Sequence, residues 1–200
     1  MCADGGANRV YDLLGAARVP DAVVGDLDSA RADVLEVYER AGCTIQRVED
    51  QDASDLEKAL AHVGARWDAA KVTEGVVRVA GAFGGRFDHE LAAVNALYGF
   101  AAARPGARCV LHGDRNAAAL LGAGAHEIRV RRSVEGPHCG LLPVGGAVER
   151  VTTRGLAWNL AGQRLAFGGL VSSSNLLEDD VVCVETSAPV LWTVEVQGIS

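Results

Sequence analysis

The chain has 200 residues, of which 49% are hydrophobic, and this suits one large domain or two small ones with a substantial core. A formal net charge of −7 argues against nucleic acid as a partner, because binding to phosphate backbones requires a basic surface, and no apolar run is long enough to span a membrane. The five cysteines form no C-x-x-C pair and the chain starts with an early acid, Asp4, so we expect a reduced, cytoplasmic protein without zinc or a secretory signal.

The first 120 residues alternate between strand and helix patterns. Apolar residues recur at helical spacing in three stretches. These predicted helices are 30–41, 54–64 and 88–103. The predicted strands are 23–24, 44–48, 76–80 and 108–112. Such alternation is typical of βαβ units and a mainly parallel sheet, in which ligands bind beyond the carboxyl ends of the strands.

Beyond residues 116–124 the pattern changes to short β-like segments separated by glycine or proline. The predicted strands in this part are 127–130, 140–143, 148–153, 165–167, 181–185 and 190–196. This pattern is typical of a small antiparallel sandwich or barrel. The predicted architecture is therefore an α/β parallel-sheet domain over residues 1–120, followed by an all-β sandwich domain over residues 121–200.

A pair of carboxylates follows the first predicted strand, in the stretch Gly25-Asp26-Leu27-Asp28-Ser29. In an extended segment, residues i and i+2 point to the same side, so Asp26 and Asp28 could aim their oxygens at one point. Carboxylate oxygens suit Mg²⁺, which usually binds one or two of them together with a substrate phosphate. The alternative is a solvated turn in which Ser29 caps the following helix.

Further acids stand at the same kind of position, just after a strand or just before a helix. They are Asp4, Asp50, Asp52, Asp55 and Asp88. Each one alone could simply cap its helix, but their recurrence favours a metal site at one edge of the sheet. With Mg²⁺ bound, such a site suits phosphoryl transfer. The backbone N–H groups of Gly5-Gly6 and Gly84-Gly85 would approach phosphate oxygens, and Arg86 and Lys58 supply positive charge.

Motifs along nearly the whole chain resemble those of the eukaryotic branch of the thiamin pyrophosphokinase family. In the first part they are D-G-G-A-N at 4–8, G-D-L-D-S at 25–29, D-Q-D-A-S-D-L-E-K-A at 50–59 and G-G-R-F-D-H at 84–89. In the second part they are C-G-L-L-P at 139–143, T-T-R-G-L-A-W-N-L at 152–160, F-G-G-L-V-S-S-S-N at 167–175 and P-V-L-W-T at 189–193.

The resemblance implies a three-layer α/β ATP-binding domain followed by a thiamin-binding β-sandwich. It also implies a homodimer whose active sites lie between the α/β domain of one subunit and the β domain of the other. The implied reaction transfers a diphosphate from ATP to the hydroxyethyl group of thiamin, giving thiamin diphosphate and AMP, with Mg²⁺ as cofactor.

Roles for individual residues follow from the same resemblance. The implied catalytic acids are Asp26, Asp28, Asp55 and Asp88, of which Asp26, Asp28 and Asp55 would bind Mg²⁺. The implied contacts with ATP or its phosphates are Asp4, Asn8, Gln51, Lys58 and Arg86. The implied thiamin contacts are Ser172, Ser174 and Asn175.

Two assignments stay open at this level. Either Asp55 or Asp88 could accept the proton of the attacking alcohol. Thiamin is a flat cation that suits an aromatic face, and both Trp158 and Trp192 are candidates for that face, with core packing as the alternative for each. Trp158 is slightly preferred because a polar residue, Asn159, stands beside it.

The chain departs from the family pattern at its start, because it opens only three residues before D-G-G-A-N. We therefore expect a sheet that lacks the first strand of the family. This departure keeps two other hypotheses open: a thiamin- or nucleotide-binding remnant with impaired catalysis, and an ATP-dependent kinase for another small alcohol.

Overall fold

Helices and strands alternate through the first half of the chain in the computed structural model, which describes residues 1–197. The α-helices are α1 (Gly6–Leu14), α2 (Ala32–Arg40), α3 (Asp55–Ala69) and α4 (Phe87–Ala103). The strands are β1 (Cys2–Ala3), β2 (Ala22–Gly25), β3 (Thr44–Arg47), β4 (Gly75–Ala80), β5 (Ala107–His112), β6 (Asn116–Leu121), β7 (Gly124–Arg129), β8 (Glu135–Leu142), β9 (Val148–Arg154), β10 (Ala161–Leu165), β11 (Ser172–Leu176), β12 (Val181–Thr186) and β13 (Val190–Val196). None of these helices has the length and apolar character needed to cross a membrane.

The chain divides into two compact units, Met1–Thr73 and Glu74–Ser200. The sequence instead predicts a domain boundary near residue 120, where strand–helix alternation stops. Strands β5 and β6 lie on either side of that point and pair antiparallel within one sheet. The division into domains at 1–120 and 121–200 therefore stays a prediction.

The first unit has a parallel sheet with the strand order β1-β2-β3, covered by helices on both faces. Strand β2 is buried along its whole length, and its side chains alternate between the two faces. Val23 packs with Val34 and Tyr38 of α2 on one face, whereas Val24 packs with Ala59 of α3 on the other. A buried apolar strand covered on both faces is typical of a parallel sheet.

Two elements of this unit have no counterpart among the sequence predictions. Strand β1 has only two residues, and α1 follows it directly through Gly5 and Gly6. A two-residue strand is too short to show an alternation of apolar and polar residues, and a pair of glycines predicts a loop. Both elements matter because they place Asp4 between them.

The second unit contains a six-stranded sheet with the order β11-β8-β13-β6-β5-β4. Its strands β4 and β5 pair in parallel and are linked by α4, whereas the other neighbours in the sheet pair antiparallel. A second sheet, with the order β10-β9-β12-β7, is antiparallel throughout. The strand predicted at 165–167 is wrong in its position along the chain. The observed strand β10 ends at Leu165, and residues 166–170 form a turn.

The two sheets of this unit face each other across a shared apolar core. Buried side chains of the four-stranded sheet, such as Val151 and Val182, belong to the same cluster as Leu141 and Trp192 of the six-stranded sheet. This arrangement is the predicted antiparallel sandwich. The predicted fold class, a parallel-sheet α/β part followed by a β-rich part, is confirmed.

Candidate functional site

Three carboxylates of the first unit meet where β1 and β2 end. Asp4 follows β1, and Asp26 and Asp28 follow β2. One oxygen from each of these side chains lies within 4.8 Å of the others. Among residues 1–197, these three acids form the group whose geometry could hold a metal ion. Adjacent parallel strands end at the same edge of a sheet, so the convergence of Asp4 with Asp26 and Asp28 follows from the topology.

The geometry around Asp26 and Asp28 differs from the extended segment assumed from the sequence. Leu27 adopts a left-handed backbone conformation with φ +66°. The backbone N–H of Asp28 donates to Asp26 Oδ1 at 3.2 Å, which closes a small turn. The two carboxylates are therefore brought together by a turn centred on Leu27, not by alternation along a strand.

Gly25 makes room for this cluster. A Cβ atom at Gly25 would lie 2.8 Å from Asp4 Cβ and 3.0 Å from Asp55 Oδ1, closer than side chains ordinarily approach. The absence of a side chain lets β2 pass directly beneath the acids. Gly25 is thus required for the close approach of Asp4 and Asp55.

Asp4 is buried and holds the loop that follows β2. Its carboxylate accepts hydrogen bonds from the backbone N–H groups of Ser29, at 3.3 Å, and Ala30, at 3.1 Å. Burial raises the pKa of Asp4, although hydrogen bonds from Gly5 and Ser29 oppose this effect. A nearby cation would favour the ionised form of such a carboxylate, which fits a role in binding a metal.

Asp55 and Lys58 join the cluster from the start of α3. Lys58 Nζ contacts Asp55 Oδ1 at 3.1 Å and Asp26 Oδ2 at 3.3 Å, and its side chain is only 3% exposed. Burial opposes the charge of Lys58, but the hydrogen bonds to Asp55 and Asp26 outweigh it and raise the lysine pKa. The hydrogen bond from the Asp28 N–H, aided by Lys58, lowers the pKa of Asp26 against the effect of burial.

The position of α3 is fixed by a capping box. The hydroxyl of Ser54 accepts the N–H of Glu57 at 3.3 Å, and the carboxylate of Glu57 accepts the N–H of Ser54 at 2.8 Å. The cap places Asp55 in the first helical turn, where its Oδ1 also accepts the N–H of Asp26 at 3.3 Å. Asp55 thus faces Lys58 and Asp26, and its role as a metal ligand stays a prediction.

Two other predicted nucleotide contacts lie in this unit in different settings. The amide of Asn8 is bound to the loop after β2: it donates to Ser29 O at 2.8 Å and accepts the N–H of Arg31 at 2.9 Å. Gln51 is exposed in the bend before α3. The structure therefore gives Asn8 a role in holding the loop, while contacts of Asn8 and Gln51 with ATP stay predictions.

The glycine-rich turn of the second unit brings Arg86 and Asp88 together. They form a two-pronged ion pair, Nε to Oδ1 at 3.1 Å and Nη2 to Oδ2 at 2.5 Å, and Arg86 lowers the pKa of Asp88. The N–H groups of Gly84 and Gly85 both donate to Glu90 Oε1, at 2.8 and 3.2 Å. Sequence reasoning missed Glu90, although an acid in the first turn of α4 was a visible signal for such a contact.

The predicted thiamin contacts lie in or beside the β-sandwich. Trp158 is 62% exposed, whereas Trp192 is 5% exposed within the core, so core packing is the correct alternative for Trp192 only. Ser172 and Asn175 are buried polar residues of β11, and Ser174 is exposed with φ +55°. An exposed indole is a suitable surface for a flat cation.

Comparison with known proteins identifies the family. A family model described as "Thiamin pyrophosphokinase, catalytic domain" matches residues 1–111, and one described as "Thiamin pyrophosphokinase, vitamin B1 binding domain" matches residues 125–191. The chain belongs to the thiamin pyrophosphokinase family. The acids Asp4, Asp26, Asp28, Asp55 and Asp88 fall within the first matched range, and Trp158 with its polar neighbours falls within the second.

Curated relatives extend the likeness over nearly the whole chain. The chain is 39% identical to "Thiamine pyrophosphokinase 1" of Oryza sativa subsp. japonica, covering 99% of this chain and 79% of that protein. It is also 39% identical to "Thiamine pyrophosphokinase 1" of Arabidopsis thaliana, covering 98% and 78% respectively. The predicted resemblance is therefore confirmed.

Solved structures confirm the fold. The thiamin pyrophosphokinase from Candida albicans superposes with a TM-score of 0.84 at 24% identity, covering 98% of this chain and 81% of that one. The yeast thiamin pyrophosphokinase superposes with a TM-score of 0.85 at 24% identity, covering 98% and 77%. Identities at this level are evidence for a shared architecture only.

Proposed function

We propose that this chain is a thiamin pyrophosphokinase, which transfers the diphosphate of ATP to the hydroxyethyl group of thiamin and releases AMP. The observation that carries the proposal is that family models for both the catalytic and the vitamin-binding part match the chain, with curated relatives at 39% identity along almost all of it. The acid cluster of the first unit supplies the chemistry that such a transfer requires.

The acid cluster fits a divalent cation, and Mg²⁺ is the ion that we propose. Three carboxylates with one oxygen each inside a 4.8 Å span match its preference for oxygen ligands, and we assign this role to Asp4, Asp26 and Asp28, with Asp55 beside them. When bound, the ion neutralises phosphate charge and polarises the phosphoryl group under attack. Lys58, held by Asp26 and Asp55, adds a fixed positive charge at the same edge of the sheet.

Deprotonation of the attacking alcohol is assigned to one of two acids. The pKa of Asp88 is lowered by Arg86, and a carboxylate with a lowered pKa is the weaker base. Asp55 is likewise paired with a cation, Lys58, at 3.1 Å, so both acids stay candidates for the base, and we propose Arg86 as the phosphate-binding cation of its turn. Most of the rate acceleration in phosphoryl transfer comes from alignment and charge stabilisation, so the base contributes the smaller part.

For the second substrate, we propose that thiamin stacks on Trp158. The indole is exposed, and a flat cation over an aromatic face gains electrostatic attraction as well as buried area. Ser174 of β11 is exposed and would offer thiamin a polar contact, whereas Ser172 is buried and accepts a hydrogen bond from Asn175.

The proposed assembly is a homodimer in which each active site draws on both subunits. A mixture of Asp28→Asn and Trp158→Ala tests this directly, at a thiamin concentration well below the KM of Trp158→Ala, where each variant alone turns over little thiamin. Random exchange gives hybrid dimers with one intact site each, so we expect activity to return to about a quarter of the wild-type value. A mixture no more active than the variants alone, from variants shown to exchange subunits, would contradict shared sites.

The function is tested by incubating the purified chain with ATP, Mg²⁺ and thiamin and separating the products. We expect thiamin diphosphate and AMP in equal amounts, and no product after chelation of the metal. Thiamin binding in a calorimeter without any AMP would favour the remnant hypothesis. Turnover of another small alcohol in preference to thiamin, within a panel of acceptors, would favour the alternative kinase.

The predicted cytoplasmic location remains a proposal. The five cysteines are free thiols, and four of them, Cys2, Cys43, Cys109 and Cys139, are buried. Free thiols are typical of proteins in a reducing compartment. Fractionation of the source cells, followed by detection of the native protein, would test the location.

A further inference from the structure

Trp158 combines an exposed side chain with a backbone that is held on both sides by one residue. Its N–H donates to Asn175 Oδ1 at 3.1 Å, and its carbonyl accepts from Asn175 Nδ2 at 2.8 Å. The indole itself is 62% exposed. A large aromatic ring left in solvent on a tightly held backbone is the arrangement expected of a binding platform.

The side chain of Asn175 is fully occupied by these and two further contacts. Nδ2 also donates to Ser172 Oγ at 3.4 Å, and Oδ1 also accepts the N–H of Leu176 at 2.9 Å. An amide has two N–H donors and one carbonyl oxygen, and all of them are engaged here. Asn175 is also only 2% exposed, so its side chain is not presented to a ligand.

A β-bulge in β11 explains how Asn175 reaches this position. Ser172 pairs with Leu141 and Asn175 pairs with Cys139, so three steps along β11 correspond to two steps along β8. In a regular strand, residues three apart point to opposite faces, whereas the extra residue lets Ser172 and Asn175 both point inward. Ser174, with φ +55°, takes the left-handed conformation at the bulge.

A second asparagine holds the other side of the same turn. Asn159 Oδ1 accepts the N–H of Leu156 at 3.2 Å, and Asn159 Nδ2 donates to the Leu156 carbonyl at 2.7 Å. The hydroxyl of Thr153 accepts the N–H of Leu160 at 2.8 Å. The turn at 156–160 is therefore fixed on both sides of Trp158.

We infer that Asn175 is a positioning residue for thiamin, which acts by holding Trp158 in its stacking position and does not itself touch the substrate. This inference rests on the proposed function for the identity of the ligand, and it revises the role that the family motif implies for Asn175. Holding the indole in place before binding removes the entropic cost of ordering it when the ligand arrives. The stacking contact is the same in the ground state and the transition state, so its loss raises the KM for thiamin and leaves kcat nearly unchanged.

A double-mutant cycle between Asn175→Ala and Trp158→Ala distinguishes positioning from direct contact. We expect Asn175→Ala to raise the KM for thiamin by roughly tenfold in the wild-type background and to have no further effect in the Trp158→Ala background. The KM for ATP should not change. An equal rise in both backgrounds would mean direct contact with thiamin and would overturn the inference, as would an unchanged KM in the wild-type background.

A readout that needs no turnover separates this inference from the proposed function. With 5-fluorotryptophan incorporated, the ¹⁹F line of Trp158, assigned through Trp158→Phe, should shift and broaden in ligand-free Asn175→Ala. The matched control is Val182→Ala, which removes buried core volume from β12 of the same sandwich and should leave that line unchanged. If the wild-type protein makes no thiamin diphosphate, the proposed function fails, and an unchanged Trp158 line in Asn175→Ala would still overturn the positioning role. Should Asn175→Ala not fold, Asn175→Asp keeps the acceptor, removes the donor and allows the same comparison.

Discussion

Replacing Gly25 with alanine is expected to damage the acidic cluster far more than it damages the fold. Gly25 ends β2, and an added Cβ would lie 2.8 Å from Asp4 Cβ and 3.0 Å from Asp55 Oδ1. Carbon atoms in ordinary contact are about 3.5–4.0 Å apart, so the new methyl group overlaps Asp4 by roughly 1 Å. Two of the three nearest atoms are Asp4 Cβ, at 2.8 Å, and Asp4 Cα, at 3.3 Å, and rotation of the side chain cannot move either of them away.

The magnitude follows from the size of this overlap. Overpacking of this kind costs about 1–3 kcal/mol of folding free energy, which leaves a typical domain folded. A displacement of about 1 Å at a reacting centre, however, can reduce turnover by about 100-fold. We therefore expect kcat to fall by about two orders of magnitude, because Asp4 and Asp55 are pushed away from the position that the cation requires.

The assay measures kcat for AMP release together with urea denaturation. The matched control is Gly99→Ala in α4, where an added Cβ meets no atom within 4 Å. That control should stabilise the helix by about 0.5–1 kcal/mol and keep full activity. A Gly25→Ala protein with full kcat would refute the claim that the acids must lie this close together.

Three further predictions concern an acid of the cluster, a helix cap and a pair of buried thiols. Asp28→Asn should reduce turnover by at least about 100-fold, since even outer partners of metal ligands are worth roughly 10–100-fold, while the circular dichroism spectrum stays that of the wild type. Ser54→Ala should cost about 1 kcal/mol of folding free energy in urea denaturation, because it breaks the capping box with Glu57; a variant as stable as the wild type would count against that cap. Burial raises the pKa of the Cys109 and Cys139 thiols to about 11 from 9.0, so their contribution to stability is complete below pH 9 and is lost as the pH rises from 9 through 11. The pH dependence of unfolding in that range should be weaker when both thiols are replaced by alanine, and equal slopes would contradict the assignment.

The position of the acidic cluster could be predicted from the sequence because it depends on topology. Alternating strands and helices indicate a parallel sheet, and residues after neighbouring strands then share one edge. Asp4 and Asp26 accordingly meet, although β1 itself was too short to recognise. The left-handed conformation of Leu27 could not be predicted, because leucine rarely adopts φ near +66° and only the surrounding structure imposes it.

Tertiary packing decided what the sequence left open. Trp158 and Trp192 were both candidates for an aromatic face, with a slight preference for Trp158, and the folded sandwich separates the exposed indole from the buried one. Lys58 was recognised as a cation of the site, but its burial between Asp26 and Asp55 depends on how α3 packs against β2. The inward position of Asn175 likewise requires the bulge in β11, which has no local signature in the motif.

The role of the acid cluster in binding a divalent cation is tested most directly by titrating Mn²⁺, a spectroscopic substitute for Mg²⁺ at carboxylate sites, into the folded protein and following the free ion by electron paramagnetic resonance. Wild-type protein should bind Mn²⁺, Mg²⁺ should displace it, and Asp28→Asn should bind it at least about tenfold more weakly. Equal Mn²⁺ affinity in the wild type and in Asp28→Asn would contradict the assignment of the metal site to Asp4, Asp26 and Asp28.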